Sequence, residues 1–337
     1  MSPPATSQFH LPYLHHYWQQ ALARRQGQFI ERPANSWRLD NLLLNGLGLA
    51  LEETTQYLFQ HAPSFEEFEN WILARHHGHP DPLLLERLHC ALSGQPYGPA
   101  LQAQLREIEA SEDVLTPADL RHWHEHGYVI VRQAVSKEQA QATEAAVWQH
   151  LGMSPTDPAT WYQHHIGKGI MMEFYHHPTL LANRQSPRIR KAFAQLWRTP
   201  DLWPTTDRTS FNPPETPGLP FQGPHLHWDM SLQPPFHFGT QGLLYLCDTP
   251  AAQGAFCCVP GFHRQLQPWL AALPPGLDPR LVDLQPRAQP IAAQAGDFVI
   301  WHHFLPHGSS PNHGTYPRIV QYLNFYPAEF KETQAWL

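Results

Sequence analysis

The chain has 337 residues, of which 42% are hydrophobic and 15% charged, and it carries a formal net charge of -7. That balance supports a packed core and argues against disorder; with 22 basic against 29 acidic residues and no basic run, it also argues against nucleic acid as a partner. No apolar run approaches the roughly 18 residues of a membrane span. The four cysteines, Cys90, Cys247, Cys257 and Cys258, form no C-x-x-C pair and read as reduced thiols. The first residues lack a charged and then apolar leader pattern, so a cytoplasmic protein is expected.

Residues 1–112 read as a helical region. Residues 11–26 mix aromatic and polar positions at helical spacing, and residues 37–60 carry Leu39, Leu42, Leu43, Leu47, Leu49 and Leu51 at a period nearer 3.6 than 2. Ser64 is placed to cap a helix beginning at Phe65, with Glu66 and Glu67 in its first turn. Pro80 and Pro82 interrupt the pattern, residues 83–92 resume it, and residues 94–98 form a turn. His76, His77 and His79 lie beside the proline break and read as solvated loop rather than a metal cluster.

Residues 113–337 form the second expected domain. Thr116-Pro117 supplies a cap and a first-turn proline for a helix over residues 118–126. His122, His124 and His126 within it lack the H-E-x-x-H spacing of a helical zinc site. Gly127 ends that helix, Tyr128–Val131 reads as a strand, and Ser136 caps a helix over Lys137–Leu151. Residues 178–197 read as helix interrupted at Ser186-Pro187. Strand patterns then dominate, at 206–211, 226–230, 241–247, 255–259, 297–301 and 318–325. Proline and glycine turns separate them, and the 35 prolines are about double the average usage. Many short strands with few helices between them predict an α+β protein with a sandwich or barrel core, not a doubly wound sheet. The proline-rich residues 266–290 read as a surface excursion.

The candidate chemistry centres on P-H-L-H-W-D, residues 224–229. In a strand, side chains at i and i+2 share a face, so His227 and Asp229 leave together. A histidine and a carboxylate so placed are two parts of the 2-His-1-carboxylate arrangement that holds non-haem Fe(II). His307, in L-P-H-G-S, is the third candidate. His225 competes with His227 but has a histidine, not a carboxylate, two residues on. His302 and His303 compete with His307 but end an apolar strand. Arg318 opens the next strand, and a hairpin there would return it beside His307. Its planar fork would suit a carboxylate ligand, unless it pairs with a surface acid. Asn212 either contacts that ligand or stabilises the Pro213-Pro214 turn. Trp228 and Trp301 read as core, and Arg208 as structural or substrate-side.

The combination of H-x-D, a distant H-G-S and an arginine on the following strand resembles the phytanoyl-CoA dioxygenase family of Fe(II)/2-oxoglutarate oxygenases, over roughly residues 113–328. R-T-S-F-N at 208–212 and the G-Y-V-I-V opening at 127–131 are similar to the same family; its P-G-S-H turn stands here as P-G-F-H, with Phe262 in place of serine. The resemblance implies a double-stranded β-helix (jelly-roll) core wrapped by helices; to it the helical pattern of residues 1–112 adds an N-terminal extension, expected to fold against the outside of the barrel and to hold no catalytic group. It implies His227, Asp229 and His307 as Fe(II) ligands. It implies further that Arg318 and Ser309 hold the far carboxylate of 2-oxoglutarate and that Asn212 contacts this cosubstrate. The implied reaction is hydroxylation of a small organic substrate with O2, releasing succinate and CO2. Related halogenases carry a small residue where this chain has Asp229, so halogenation is not expected. The rival reading is a cupin-like metal-binding jelly roll, an isomerase or binding protein, which needs no carboxylate clamp at Arg318 and Ser309. The substrate and the oligomeric state are not legible.

Overall fold

In a computed structural model, which describes residues 7–28, 35–76, 78, 80–162 and 169–331, the chain divides into two units. One contains the described residues of Met1–Ser111 together with Trp197–Thr206 and Tyr326–Phe330. Its helices are α1 (Pro12–Arg25), α2 (Ser36–Gly46), α3 (Leu51–His61), α4 (Phe65–Arg75), α5 (Pro82–Ser93) and α6 (Pro99–Ala110). The leucine pattern of residues 37–60 yields two helices, because Gly48 between them adopts φ +59°, outside the helical region. Ser64 caps α4 in a reciprocal capping box with Glu67. Asp81 accepts from the Leu83 N–H, and Pro82 opens α5 as its first residue, so that proline starts a helix instead of breaking one. Leu43, Leu47, Leu58, Phe68, Ile72 and Leu88 are fully buried in one cluster, and Trp203 joins it from the strand Leu202–Pro204. His76 Nε2 donates to the Leu47 carbonyl at 2.9 Å; His77 and His79 lie outside the described residues.

The other unit contains Glu112–Leu196 and Asp207–Phe325. Its helices are α7 (Pro117–His126), α8 (Lys137–Leu151), α9 (Pro178–Arg184), α10 (Pro187–Trp197) and the short α11 (Leu266–Ala272). Thr116 and Ser136 cap α7 and α8 as the sequence predicts, and α9 and α10 meet at the Ser186-Pro187 break. The strands of the chain are β1 (Tyr128–Val131), β2 (Met171–Met172), β4 (Thr209–Asn212), β5 (Thr240–Tyr245), β6 (Phe256–Cys258), β7 (Gln289–Pro290), β8 (Phe298–His302), β9 (His307–Ser309) and β10 (Arg318–Tyr322), with β3 (Leu202–Pro204) and β11 (Phe325–Pro327) forming a separate pair. A six-stranded antiparallel sheet runs β1-β8-β5-β10-β4-β2, and a three-stranded one runs β7-β6-β9. Strand alternation gives the larger sheet one face made of Leu243, Tyr245, Val299, Trp301 and Val320, in register across β5, β8 and β10. Those residues share a single buried cluster with Phe256 and Cys258 of the smaller sheet, so the two sheets face one another. The opposite face of the larger sheet is covered by helices. Phe193 of α10 packs on Phe298, with ring centroids 5.8 Å apart, and the Asn183 amide of α9 bonds Gln321 at 2.9 Å. The protein is α+β.

Two expectations are corrected and one is refined. Residues 226–230 form no strand; only His227 bridges, to His307. His307, its bridge partner, lies on β9. Arg318 and His307 are not hairpin partners: β10 belongs to the larger sheet and β9 to the smaller. Residues 266–290 are largely exposed, as expected, but are anchored: Leu266 and Leu284 are buried in the shared core and Trp269, Leu270 and Val282 pack against it. There the prolines open short turns at Pro279–Leu281 and Gln285–Arg287, leaving the apolar residues between them free to pack inward.

Candidate metal centre

His227 and His307 face each other through two main-chain hydrogen bonds, His227 N–H to His307 O at 2.9 Å and His307 N–H to His227 O at 3.0 Å. Their rings are 4.7 Å apart, centroid to centroid. Nδ1 of His227 lies 2.7 Å from the His225 carbonyl, and Nδ1 of His307 lies 3.0 Å from the Leu305 carbonyl. A carbonyl only accepts, so each Nδ1 carries the proton and each Nε2 keeps a lone pair. Both Nε2 atoms point at one carboxylate: His227 is 3.3 Å from Asp229 Oδ1, and His307 is 3.3 Å from Oδ2. Candidate ligand atoms on all three residues fall within 4.8 Å of one another. Burial works against charge here. Even so, the two imidazoles hold the Asp229 carboxyl far below the usual carboxylate range, and Asp229 with the His225 carbonyl raises His227. Two imidazole lone pairs aimed at one carboxylate require a cation between them, either protons or a metal. The donor set fits a divalent metal that takes nitrogen and oxygen ligands.

Asp229 has a further partner that sequence reasoning missed. Gln241 Nε2 donates to Asp229 Oδ2 at 2.7 Å, and Gln241 Oε1 accepts from Trp301 Nε1 at 3.1 Å. An indole N–H can only donate, which fixes the orientation of the amide. A polar residue on the inward-facing register of an apolar strand was the only signal for Gln241 in the sequence.

Arg318 is fully buried. Its Nε donates to the Gly254 carbonyl at 2.8 Å, one Nη to Ser210 Oγ at 2.9 Å and the other to Ser309 Oγ. Among the described residues no carboxylate pairs with it. Three neutral acceptors occupy three of its five N–H groups, leaving two and an unneutralised charge in the interior. That is the environment a ligand carboxylate would complete. Ser309 is on the same strand as His307, two residues on, and reaches Arg318 across the space between the sheets. Ser210 sits in the R-T-S-F-N stretch and was not singled out. Asn212 is directly opposite Arg318 in the β4–β10 register and is buried, but its amide is turned to the Ser310 carbonyl at 3.4 Å.

The competing residues take other roles. His225 is exposed and offers only its carbonyl. His302 Nδ1 accepts from the Phe304 N–H, and His303 Nε2 bonds the His237 carbonyl at 2.6 Å. Trp228 and Trp301 are core, as read. Phe262, in place of the usual serine, is fully buried against Trp228 and Trp269. All four cysteines are buried and free.

Fold and site together define an α+β protein with two facing antiparallel sheets and a 2-His-1-carboxylate cluster beside a buried arginine. A family model described as phytanoyl-CoA dioxygenase (PhyH) matches residues 123–320, and the chain belongs to that family. A Dictyostelium discoideum protein named "Putative phytanoyl-CoA dioxygenase" is 22% identical over 255 residues, spanning 60% of this chain and 73% of its own. Similar solved structures include HygX from Streptomyces hygroscopicus, with nickel and 2-oxoglutarate bound (16% identity, 65% of this chain, 90% of that chain, TM-score 0.48). Another is the non-heme alpha ketoglutarate dependent carbocyclase SnoK from nogalamycin biosynthesis (17% identity, 65% and 85%, TM-score 0.47).

Proposed function

We propose that the chain is an Fe(II)/2-oxoglutarate-dependent dioxygenase that hydroxylates a small organic substrate, built on a double-stranded β-helix core. The observation that carries the reading is the pairing of two sites in one interior: two Nε2 lone pairs converging on a carboxylate, and a buried Arg318 that no protein carboxylate neutralises. His227, Asp229 and His307 would hold the metal. Arg318, with Ser309, would hold the far carboxylate of 2-oxoglutarate, and Asn212 would line the same end. Iron, when bound, supplies O2 binding and oxidation: O2 and 2-oxoglutarate are consumed, succinate and CO2 are released, and one oxygen atom enters a substrate C–H bond. The chain's own part is geometric. Main-chain carbonyls fix the two imidazole tautomers, Gln241 fixes the carboxylate, and Phe256 and Trp301 pack beside the His307 ring.

The test is thermal unfolding of the metal-stripped protein with Mn(II), with 2-oxoglutarate, and with both. A ligand present at 100 times its Kd stabilises by about 2.7 kcal/mol. The expected result is a rise of several degrees with Mn(II) that 2-oxoglutarate increases only when the metal is present. A rise with Mn(II) that 2-oxoglutarate leaves unchanged would point to the cupin-like alternative.

A further inference from the structure

Asp229 lies outside the ladder that fixes the two histidines. His307 is on β9, and His227 is bridged to it by two main-chain hydrogen bonds, whereas Trp228, Asp229 and Met230 belong to no strand. The carbonyls on either side of Asp229 are instead held by one side chain. Arg280 Nη1 donates to Trp228 O at 2.9 Å, and its Nη2 donates to Met230 O at 2.7 Å. Asp229 and Met230 lie in a bend, and the planar guanidinium ties the two carbonyls that flank Asp229 together. We propose that Arg280 is a positioning residue that holds Asp229 in the geometry a metal needs, and that residues 266–290 exist in part to deliver it.

Arg280 is itself placed by rigid surroundings. It sits in the turn Pro279–Leu281, where its N–H donates to Asp278 Oδ1 at 2.9 Å. Leu266 and Leu284, either side of that turn, are buried in the shared core. Trp269 packs on Trp228 with ring centroids 5.8 Å apart, and Trp228 Nε1 donates to the Phe304 carbonyl at 2.9 Å. The segment before and after Arg280 is therefore locked to the same residues whose carbonyls it grips. A surface arginine kept only for solubility would present its fork to water. This one presents it to the backbone on both sides of a ligand. A cation close to a metal site opposes metal binding electrostatically, so the benefit of Arg280 must be geometric.

The inference rests on the metal reading proposed above, and the experiment separates the two. Mn(II) binding is measured by calorimetry on metal-free wild type, Arg280→Ala, Arg280→Lys and Asp229→Ala. Amide hydrogen exchange is followed in parallel on the metal-free proteins, for residues 228–231 and 307–309. Partners that orient metal ligands are worth about 10–100-fold in affinity, so Arg280→Ala should weaken Mn(II) by that factor. Exchange should quicken at 228–231 and stay unchanged at 307–309. Arg280→Lys carries the charge without the fork and should recover only part of the loss. It also carries the test if the alanine variant does not fold. Mn(II) affinity within threefold of wild type in both Arg280 variants, with Asp229→Ala losing binding, would overturn the positioning role and leave the metal centre standing. Equal Mn(II) binding by wild type and Asp229→Ala would sink the metal centre instead. In that case unchanged exchange at 228–231 in the Arg280 variants would remove the clamp as well, and faster exchange would support it.

Discussion

Replacing Arg318 by Met should separate ligand recognition from stability. The side chain is fully buried and donates to Gly254 O, Ser210 Oγ and Ser309 Oγ. In the ligand-free protein, removing it forfeits three charged hydrogen bonds, worth about 1.5–3 kcal/mol each. It also removes the desolvation penalty of an interior cation, which is several kcal/mol after relaxation. The two contributions oppose each other and are of similar size, so ligand-free stability should change by no more than about 2 kcal/mol, or roughly 4–8 °C in melting temperature. Binding of 2-oxoglutarate has no such cancellation. The two N–H groups left over from the protein contacts would form charge-assisted bonds to the ligand, together worth about 3–6 kcal/mol. That is a loss of roughly 10²–10⁴ in affinity. Arg318→Lys keeps the charge but not the fork and should fall between. The assay is calorimetric titration of 2-oxoglutarate into the Mn(II)-loaded proteins, beside melting curves of the metal-free forms. Unchanged 2-oxoglutarate affinity in Arg318→Met would refute the clamp. A collapse in melting temperature with equal loss of Mn(II) binding would show Arg318 to be a structural residue.

Gln241→Leu should weaken Mn(II) binding about 10–100-fold, because Asp229 Oδ2 loses its donor and Trp301 Nε1 its acceptor; calorimetry on the metal-free variant checks this. As a metal ligand Asp229 would take the place a halide needs, so under the proposed function turnover of an accepted substrate in chloride or bromide buffer should yield no halogenated product, as read by mass spectrometry, and Asp229→Gly should strongly reduce hydroxylation. Burial pushes the Cys257 thiol up to about 11 and Cys247 up to about 12, and raises Cys258 well above its ordinary value. These raised values mean that the thiols' contribution to stability is complete below pH about 9, where the unfolded thiols begin to ionise, and is lost as the pH rises through the folded values. The urea midpoint should therefore fall between pH 9 and 11, and a thiol reagent that labels the native protein at pH 8.5 as fast as the unfolded chain would contradict this. We propose that residues 1–112 hold no catalytic group but are needed for a stable fold. Because Trp203 is buried in their leucine cluster, a chain starting at Leu115 should aggregate on expression; a soluble, fully active truncation would defeat this expectation.

The local structure was legible because it depends on near neighbours. Ser64, Thr116 and Ser136 cap the helices they precede, since a side-chain oxygen needs only an N–H three residues on. The H-x-D spacing and H-G-S named the three residues that the structure brings within 4.8 Å, although the reason was only half right. Residues 226–230 are not a strand, and His227 and Asp229 converge because one bridge and one arginine hold the chain there. What the sequence alone determined was chemistry at short range: which residue types can bind a metal or a carboxylate, and where helices begin. Contacts between facing sheets depend on how distant segments stack, and no periodicity encodes that. Ser309 and Arg318 are nine residues apart on strands of different sheets and meet across the interior, not around a hairpin. Gln241 reaches Asp229, and Arg280 reaches the carbonyls beside it, from segments that only packing places there. The proline-rich stretch 266–290 is largely exposed, as its composition suggested, but proline count reports backbone stiffness and not which residues anchor it. Only the tertiary structure decided that Leu266 and Leu284 enter the core while Leu277 and Leu281 stay exposed.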